Sequence, residues 1–148
     1  MKLILLRHGE SQWNLENKFT GWKDVALTQT GIEEAEFAAK QLIENNLKIQ
    51  SIHTSLLGRA TETALIVSNI IGFSKKNINY EWRLNERHYG ALQGLNKSET
   101  AKKYGEKQVK IWRRSYDIPP PELDYNDERH SRFDKLYSEI TANLLPNS

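Results

Sequence analysis

Residues 2–10 read KLILLRHGE, an apolar run that turns polar within one residue. Four consecutive aliphatic residues without alternation are typical of a strand that is covered on both faces in a parallel sheet. We therefore predict a buried strand over residues 2–6 that ends in a loop at Arg7. Because α/β folds place ligands at the carboxyl ends of such strands, this loop is the first candidate for a functional site.

Helix and strand patterns follow this segment. Thr30 and Glu33 stand at capping-box spacing before apolar residues at helical intervals, and Asn45 and Asn46 form a stop signal. Residues 47–55 then predict a second strand. A helix between two strands indicates a parallel pair joined by a crossover.

The alternation continues. Residues 59–71 predict another helix, with Gly72 just past its end, and residues 77–82 predict a third, weaker strand. We expect the whole chain, residues 1–148, to form one α/β domain with a mostly parallel sheet and helices on both faces. The inner face of the second helix is expected to carry three apolar residues, Ala60, Ala64 and Leu65.

The second half of the chain is more polar. Residues 84–90 combine charged and aromatic side chains and predict a loop rather than a core element. Residues 96–104 predict a helix closed by Gly105, and residues 106–116 predict another. The remaining tail is polar, with one short helical pattern at residues 133–140.

Composition excludes several classes of function. The 21 basic and 19 acidic residues leave a net charge of +2, too small to favour nucleic acid or an anionic membrane as a partner. There is no cysteine, hence no disulfide framework and no thiolate nucleophile. The first apolar run is too short for a signal peptide or a membrane span, so we expect a soluble cytoplasmic protein.

The sequence Arg7-His8-Gly9-Glu10 carries the first chemical signal. A neutral imidazole can attack phosphorus through one ring nitrogen, and an adjacent guanidinium binds phosphoryl oxygens in a bidentate fork. Gly9 would let the backbone approach a phosphate closely. A solvated histidine beside a surface arginine remains the alternative interpretation, because short motifs match by chance.

The second signal is the stretch TSLLGRATETA at residues 54–64, which leaves the second strand and starts a helix. Adjacent parallel strands would bring Arg7, His8 and Arg59 to one edge of the sheet, next to the amides of the helix start. His53 has no companion at ligand spacing and is expected to be structural or exposed.

Residues 97–117 contain seven basic and three acidic residues. A solvated helix face is the favoured interpretation, and an anion site at Arg113 and Arg114 is the alternative. No ladder of aromatic residues accompanies these charges, which argues against a nucleic-acid track. No metal is expected, because no group of His, Asp or Glu shows ligand spacing.

Three segments, RHGESQWN at residues 7–14, FTGW at residues 19–22 and ERHYGALQGLNK at residues 86–97, closely resemble the cofactor-dependent phosphoglycerate mutases of the histidine phosphatase superfamily. The resemblance runs from Lys2 to about Pro146. The longer segments are typical of the mutase branch rather than of the superfamily at large.

The resemblance implies that 3-phosphoglycerate and 2-phosphoglycerate are interconverted through a phosphohistidine at His8, primed by 2,3-bisphosphoglycerate and without a metal. It implies that Arg7 and Arg59 bind the transferred phosphoryl group and that Glu86 is the general acid and base. Partners would be small phosphoglycerates, and a homo-oligomer is compatible. The implied substrate-binding residues are Arg7, Glu10, Ser11, Asn14, Thr20, Gly21, Arg59, Glu86, Arg87, His88, Tyr89, Lys97, Arg113 and Arg114.

The remaining histidines and tryptophans have simpler interpretations. His88, between Arg87 and Tyr89, is expected to shape its loop, and His130 is expected to be exposed. The tryptophans are expected to pack in the core or to anchor loops.

The family also carries a second histidine, in a His-Gly-Asn segment after a later apolar strand. No segment of these 148 residues matches it, so we expect the fold to lack its C-terminal strand and helices. Two alternatives to an active mutase therefore remain open. One is an inactive remnant that binds only phosphate or a partner, and the other is a generic histidine phosphatase that transfers the phosphoryl group to water.

Overall fold

The computed structural model describes residues 2–141 and 144–148. The chain divides into two compact units. Unit 1 contains the residues up to Gln12 together with Asp24–Asn85, and unit 2 contains Trp13–Lys23 together with the residues from Glu86 onward. The fold is α/β, as the sequence predicts, with two parallel strands and helices that pack beside them.

Unit 1 holds the parallel sheet. Its elements are helix α2 (Gln29–Glu44), strand β1 (Ile52–Thr54), helix α3 (Gly58–Ile70) and strand β2 (Ile78–Tyr80). A short helix, α1 (Gln12–Leu15), precedes them in the chain. The strands pair in parallel with Ile52 opposite Ile78, which agrees with the predicted parallel sheet, and they are shorter than expected.

The predicted strand over residues 2–6 is wrong. These residues form no strand, and the side chains of Leu3 and Leu5 are 81% and 87% exposed. A strand requires a neighbour whose backbone N–H and C=O groups pair with its own. Within residues 2–141 and 144–148 no segment supplies such hydrogen bonds to Leu3–Leu6. The apolar run predicts a buried strand, but no neighbouring strand among these residues pairs with it.

Helix α2 begins two residues earlier than predicted. Its N-cap is Thr28 rather than Thr30, and the Thr28 hydroxyl accepts a hydrogen bond from the Gly31 amide at 3.1 Å. Thr28 has extended backbone angles, which an N-cap requires, whereas Thr30 already lies in the first helical turn. The predicted stop is confirmed, because Asn45 caps the helix and Asn46 adopts a positive φ of 52°.

The inner face of α3 also differs from the prediction. Ala60, Ala64 and Leu65 are only partly buried, and the buried row runs through Arg59, Thr63 and Val67. These three residues are spaced four apart and therefore share one side of the helix. Two of them, Arg59 and Thr63, are polar, so a search for apolar residues at helical spacing misses them. Hydrogen bonds offset the cost of burying their polar groups.

Unit 2 contains two further helices, α4 (Lys97–Tyr104) and α5 (Glu106–Arg114), as predicted within two residues at each end. The Asn96 side chain accepts hydrogen bonds from two amides of the first turn of α4, and Gly105, with φ 85°, separates the helices. One cluster of the unit's buried apolar residues contains Phe19, Tyr89, Leu92 and Val109. The described part of the tail includes short 3₁₀ turns at Ser131–Phe133 and Lys135–Tyr137.

The prediction that His130 is exposed is wrong. Its side chain is 1% exposed, its Nδ1 accepts a hydrogen bond from the Arg132 amide, and its Nε2 lies 2.9 Å from Asn147 Oδ1. The tail folds a tight turn around this imidazole, a local arrangement that a lone histidine in a polar sequence does not reveal. His53, by contrast, is exposed as expected.

The structure contains no described helix with the length and apolar character needed to cross a membrane.

Candidate active site

The imidazole of His8 contacts a backbone carbonyl and an arginine side chain of unit 1. Its Nδ1 is 2.7 Å from the carbonyl oxygen of Gly9, and the Nε of Arg59 is 3.3 Å from its Nε2. A carbonyl oxygen can only accept and a guanidinium can only donate, so the network requires a proton on Nδ1 and a lone pair on Nε2. The lone pair of the imidazole therefore lies on Nε2, which faces the Arg59 guanidinium.

Arg59 owes its position to the start of α3. It is 0% exposed and lies in the first turn of the helix. The N-cap of the helix is Leu57, which has an extended backbone. A guanidinium keeps its positive charge in proteins. It therefore provides a fixed positive charge beside the His8 imidazole.

The amides at the start of α3 are partly occupied by the protein itself. The amide of Gly58 donates to Asp24 Oδ1 at 2.6 Å, so a carboxylate already sits at this helix end. The group of α3 that contacts His8 is thus the side chain of Arg59.

The loop around His8 is held by several hydrogen bonds. The Gly9 amide donates to Thr63 Oγ1 at 3.2 Å, and the Glu10 amide donates to Glu34 Oε2 at 2.8 Å. The Glu10 carboxylate accepts from the Thr28 hydroxyl at 2.8 Å. These contacts fix the backbone on both sides of Gly9 and so fix the direction of the imidazole.

Arg7 does not join this group. Its side chain is exposed, and it makes no hydrogen bond or ion pair with any residue that the structure describes. The predicted meeting of Arg7, His8 and Arg59 at one sheet edge is therefore only half observed. His8 and Arg59 come together through the loop and α3, without a strand at residues 2–6.

A second polar group forms in unit 2 around Tyr89. Burial raises the pKa of the Tyr89 hydroxyl, and the Glu86 carboxylate raises it further. Arg113, which hydrogen-bonds to this hydroxyl, and Arg114 act in the opposite direction. Glu86, Tyr89 and two arginines from the end of α5 thus lie within electrostatic reach of one another.

Trp22 and Gly21 support this group from the other segment of unit 2. The Trp22 indole donates to the Glu86 carbonyl at 2.8 Å and holds the backbone where the Glu86 side chain begins. Gly21 has a φ of +56°, and a Cβ there would meet the Tyr89 ring at 3.2 Å. Only glycine fits this conformation and this contact without strain.

The Arg87 side chain donates hydrogen bonds to backbone carbonyls of unit 2. Its Nη1 and Nη2 donate to the carbonyls of Ser115 and Ile118 at 2.7 and 2.9 Å, which ties the segment after α5 to the loop. The other predicted site residues lie as follows: Ser11 is buried in a bridge with Leu27, Asn14 is in α1, Thr20 is buried beside Gly21, and Lys97 opens α4.

His88 shapes the loop, as expected. It is 4% exposed, its Nδ1 accepts from the Gly90 amide at 3.0 Å, and its Nε2 has no hydrogen-bond partner among the described residues. Burial, with a smaller contribution from His130, lowers the pKa of His88 from 6.5 to about 4. The imidazole is therefore neutral in the folded protein at pH 7.

This lowered pKa makes stability depend on pH. Below about pH 6.5 the unfolded chain binds a proton at His88 that the folded chain does not bind until about pH 4. The free energy of unfolding should therefore fall by about 3 kcal/mol from this group as the pH falls through that range. Urea unfolding at pH 7 and pH 4.5 measures the change.

The matched control for this pH dependence is His88→Asn, whose side-chain oxygen can still accept from the Gly90 amide. The variant should lose most of the extra decrease in stability between the two pH values. An identical pH dependence in both proteins would show that His88 does not contribute.

Sequence reasoning missed several residues that organise unit 1, namely Thr63, Glu34, Asp24 and Thr28. The spacing of Thr63, four residues after Arg59, was the available signal, because i and i+4 share a helix face. The acceptors Glu34 and Asp24 come from distant parts of the sequence, so no local pattern indicates them.

A cavity of about 330 Å³ lies elsewhere in unit 2. Trp22, Gln93 and Tyr137 line it together with residues of the tail, and none of the predicted site residues does. The chemistry of the candidate site therefore does not coincide with this cavity.

The parallel strands, their packed helices and the contact between His8 on a loop and Arg59 in α3 define an α/β protein in which an imidazole lies beside a guanidinium. The chain belongs to the histidine phosphatase superfamily, branch 1, whose family model matches residues 3–146.

Solved structures resemble the chain over most of its length. A mycobacterial glucosyl-3-phosphoglycerate phosphatase in complex with VO3 is 28% identical, with a TM-score of 0.68 over 78% of this chain and 52% of that one. Mycobacterial hydrolase 1 gives 28% identity and a TM-score of 0.67, over 78% of this chain and 51% of that one. YhfR from Bacillus stearothermophilus is 33% identical, with a TM-score of 0.59, over 72% and 50%. The chain thus spans about half the length of these proteins.

Proposed function

We propose that this chain carries the phosphoryl-transfer residues of a 2,3-bisphosphoglycerate-dependent phosphoglycerate mutase, with His8 as the residue that becomes phosphorylated. The observation that carries the proposal is the pair of contacts at His8. Nδ1 donates to the Gly9 carbonyl and Nε2 accepts from the Arg59 guanidinium, so Nε2 holds the lone pair that would attack phosphorus and lies beside a fixed positive charge.

The proposed reaction has two transfers. The Nε2 of His8 attacks a phosphorus of 2,3-bisphosphoglycerate, the bond from phosphorus to the glycerate oxygen breaks, and that oxygen takes a proton. In the second transfer a glycerate hydroxyl loses its proton as it attacks phosphohistidine, and His8 is released. The proton needs a donor and acceptor, and Glu86 is the proposed group.

Further roles are assigned on the resemblance to the mutases. Arg7 and Arg59 would bind the transferred phosphoryl group, which a guanidinium matches in geometry. Arg113 and Arg114 would bind the substrate carboxylate or the second phosphate. The remaining proposed contacts come from Glu10, Ser11, Asn14, Thr20, Gly21, Arg87, His88, Tyr89 and Lys97. We propose no metal, and the mutase would act on small phosphoglycerates in the cytoplasm.

A phosphatase is the second candidate. It is favoured by the similarity to a mycobacterial glucosyl-3-phosphoglycerate phosphatase. The two activities share the phosphohistidine and differ in the acceptor, which is water or a second hydroxyl. The segment at residues 86–97, which resembles the mutases, favours the mutase.

Product analysis by ³¹P NMR separates the candidates. The chain is incubated with 3-phosphoglycerate and a small amount of 2,3-bisphosphoglycerate, and the phosphorus signals are followed. Formation of 2-phosphoglycerate supports the mutase, whereas inorganic phosphate without 2-phosphoglycerate supports the phosphatase and overturns the mutase proposal. If neither product forms, the chain does not carry out the mutase reaction by itself, and the inactive remnant is the better description.

A further inference from the structure

The hydroxyl of Thr63 joins the loop of His8 to the helix of Arg59. Thr63 is 4% exposed and lies on the buried row of α3, one turn after Arg59. Its Oγ1 donates to the Arg59 carbonyl at 2.8 Å and accepts from the Gly9 amide at 3.2 Å. One buried hydroxyl therefore uses both its donor and an acceptor position to connect the two segments.

Gly9 transmits this connection to the imidazole. Its amide is held by Thr63, and its carbonyl oxygen accepts from Nδ1 of His8. Glycine has no side chain to restrict its backbone, so the direction of the carbonyl depends on contacts such as the one from Thr63. The carbonyl can only accept and so favours the proton on Nδ1, while the Arg59 guanidinium can only donate and so favours the lone pair on Nε2.

We propose that Thr63 is a positioning residue that keeps His8 in the Nδ1–H tautomer, with Nε2 directed to the Arg59 side. Thr63 does not touch the reacting atoms. The kinetic consequence rests on the proposed function, since a wrong tautomer would offer the wrong nitrogen to phosphorus. The structural consequence, a single tautomer of His8, does not depend on that function.

The test compares variants that differ in one hydroxyl. Thr63→Val removes both hydrogen bonds and nearly keeps the shape, whereas Thr63→Ser keeps the hydroxyl. Thr61→Val is the matched control, because the Thr61 hydroxyl bonds to the Gly58 carbonyl on the same helix and not to Gly9. Ring ¹⁵N chemical shifts of His8, measured at a pH at which the imidazole is neutral, report the tautomer.

The chain as it stands and its Thr61→Val and Thr63→Ser variants should show one Nδ1–H tautomer. Thr63→Val should show a mixture, and its rate of His8 phosphorylation by 2,3-bisphosphoglycerate should fall about 10- to 100-fold, as expected for a misplaced reacting group. An unchanged tautomer in folded Thr63→Val would overturn the proposal. If the tautomer changes but even the unmodified chain is never phosphorylated, the positioning role holds and the proposed function fails.

Amide hydrogen exchange provides a readout that needs no folded variant. The Gly9 amide in the unmodified chain should exchange slowly, because its acceptor is a buried hydroxyl. Exchange at the rate of an open loop amide would show that the Thr63 contact is not maintained and would overturn the proposal.

Discussion

We expect the His8→Asn variant to take up essentially no phosphoryl group from 2,3-bisphosphoglycerate. Asparagine can still accept and donate hydrogen bonds, but it has no basic nitrogen that can form a bond to phosphorus. Loss of the nucleophile removes the covalent route altogether, so phosphorylation should fall by on the order of 10³-fold or more. Retention of radioactive phosphate by the protein, in alkaline conditions that preserve phosphohistidine, is the measurement.

The matched control for this experiment is His53→Asn. His53 belongs to unit 1 and lies on β1 with an exposed side chain, so its loss should leave phosphorylation unchanged. Equal labelling of the His8→Asn chain and the unmodified chain would show that another residue receives the phosphoryl group.

The second large effect is on stability and concerns Gly31. A Cβ added at Gly31 would overlap the carbonyl oxygen of Glu10 and would lie 2.8 Å from the Glu10 amide nitrogen. Glycine to alanine within a helix usually stabilises by about 1 kcal/mol, because alanine has the higher helix propensity. Here the sign should reverse, and overpacking against a backbone should lower the free energy of unfolding by about 3 kcal/mol.

Urea unfolding of Gly31→Ala measures this loss. Gly72→Ala is the control, because Gly72 has a φ of +71° and no atom within 4 Å of the added Cβ. That variant should lose only about 1 kcal/mol through backbone strain. If Gly31→Ala were as stable as the unmodified chain, Gly31 of α2 would not lie in close contact with the Glu10 backbone.

Local patterns in the sequence predict much of this fold. Caps, stop signals and apolar spacing predict helices α4 and α5, the end of α2 at Asn45 and the parallel direction of β1 and β2. The segment at residues 2–6 shows the limit of such patterns. Its composition requires burial, but pairing depends on a neighbouring strand, which is a property of the whole fold.

The candidate site shows the same division. The RHG motif and the arginine of residues 54–64 indicate the two groups that meet, and the structure brings His8 and Arg59 within 3.3 Å. The contacts that orient them come from Thr63, Glu34 and Thr28, which no motif indicates. Hydrogen bonds between distant residues depend on tertiary packing, so they become visible only in the folded chain.

The central claim is that His8 accepts a phosphoryl group at one defined nitrogen. The direct measurement is mass spectrometry of the folded, unmodified chain after incubation with 2,3-bisphosphoglycerate, with ³¹P NMR to assign the bonded nitrogen. We expect one acid-labile phosphoryl group, bonded to Nε2 of His8, because Nδ1 keeps its hydrogen in the hydrogen bond to the Gly9 carbonyl. A folded chain that gains no phosphoryl group, or gains it on Nδ1 or on another residue, would contradict the claim.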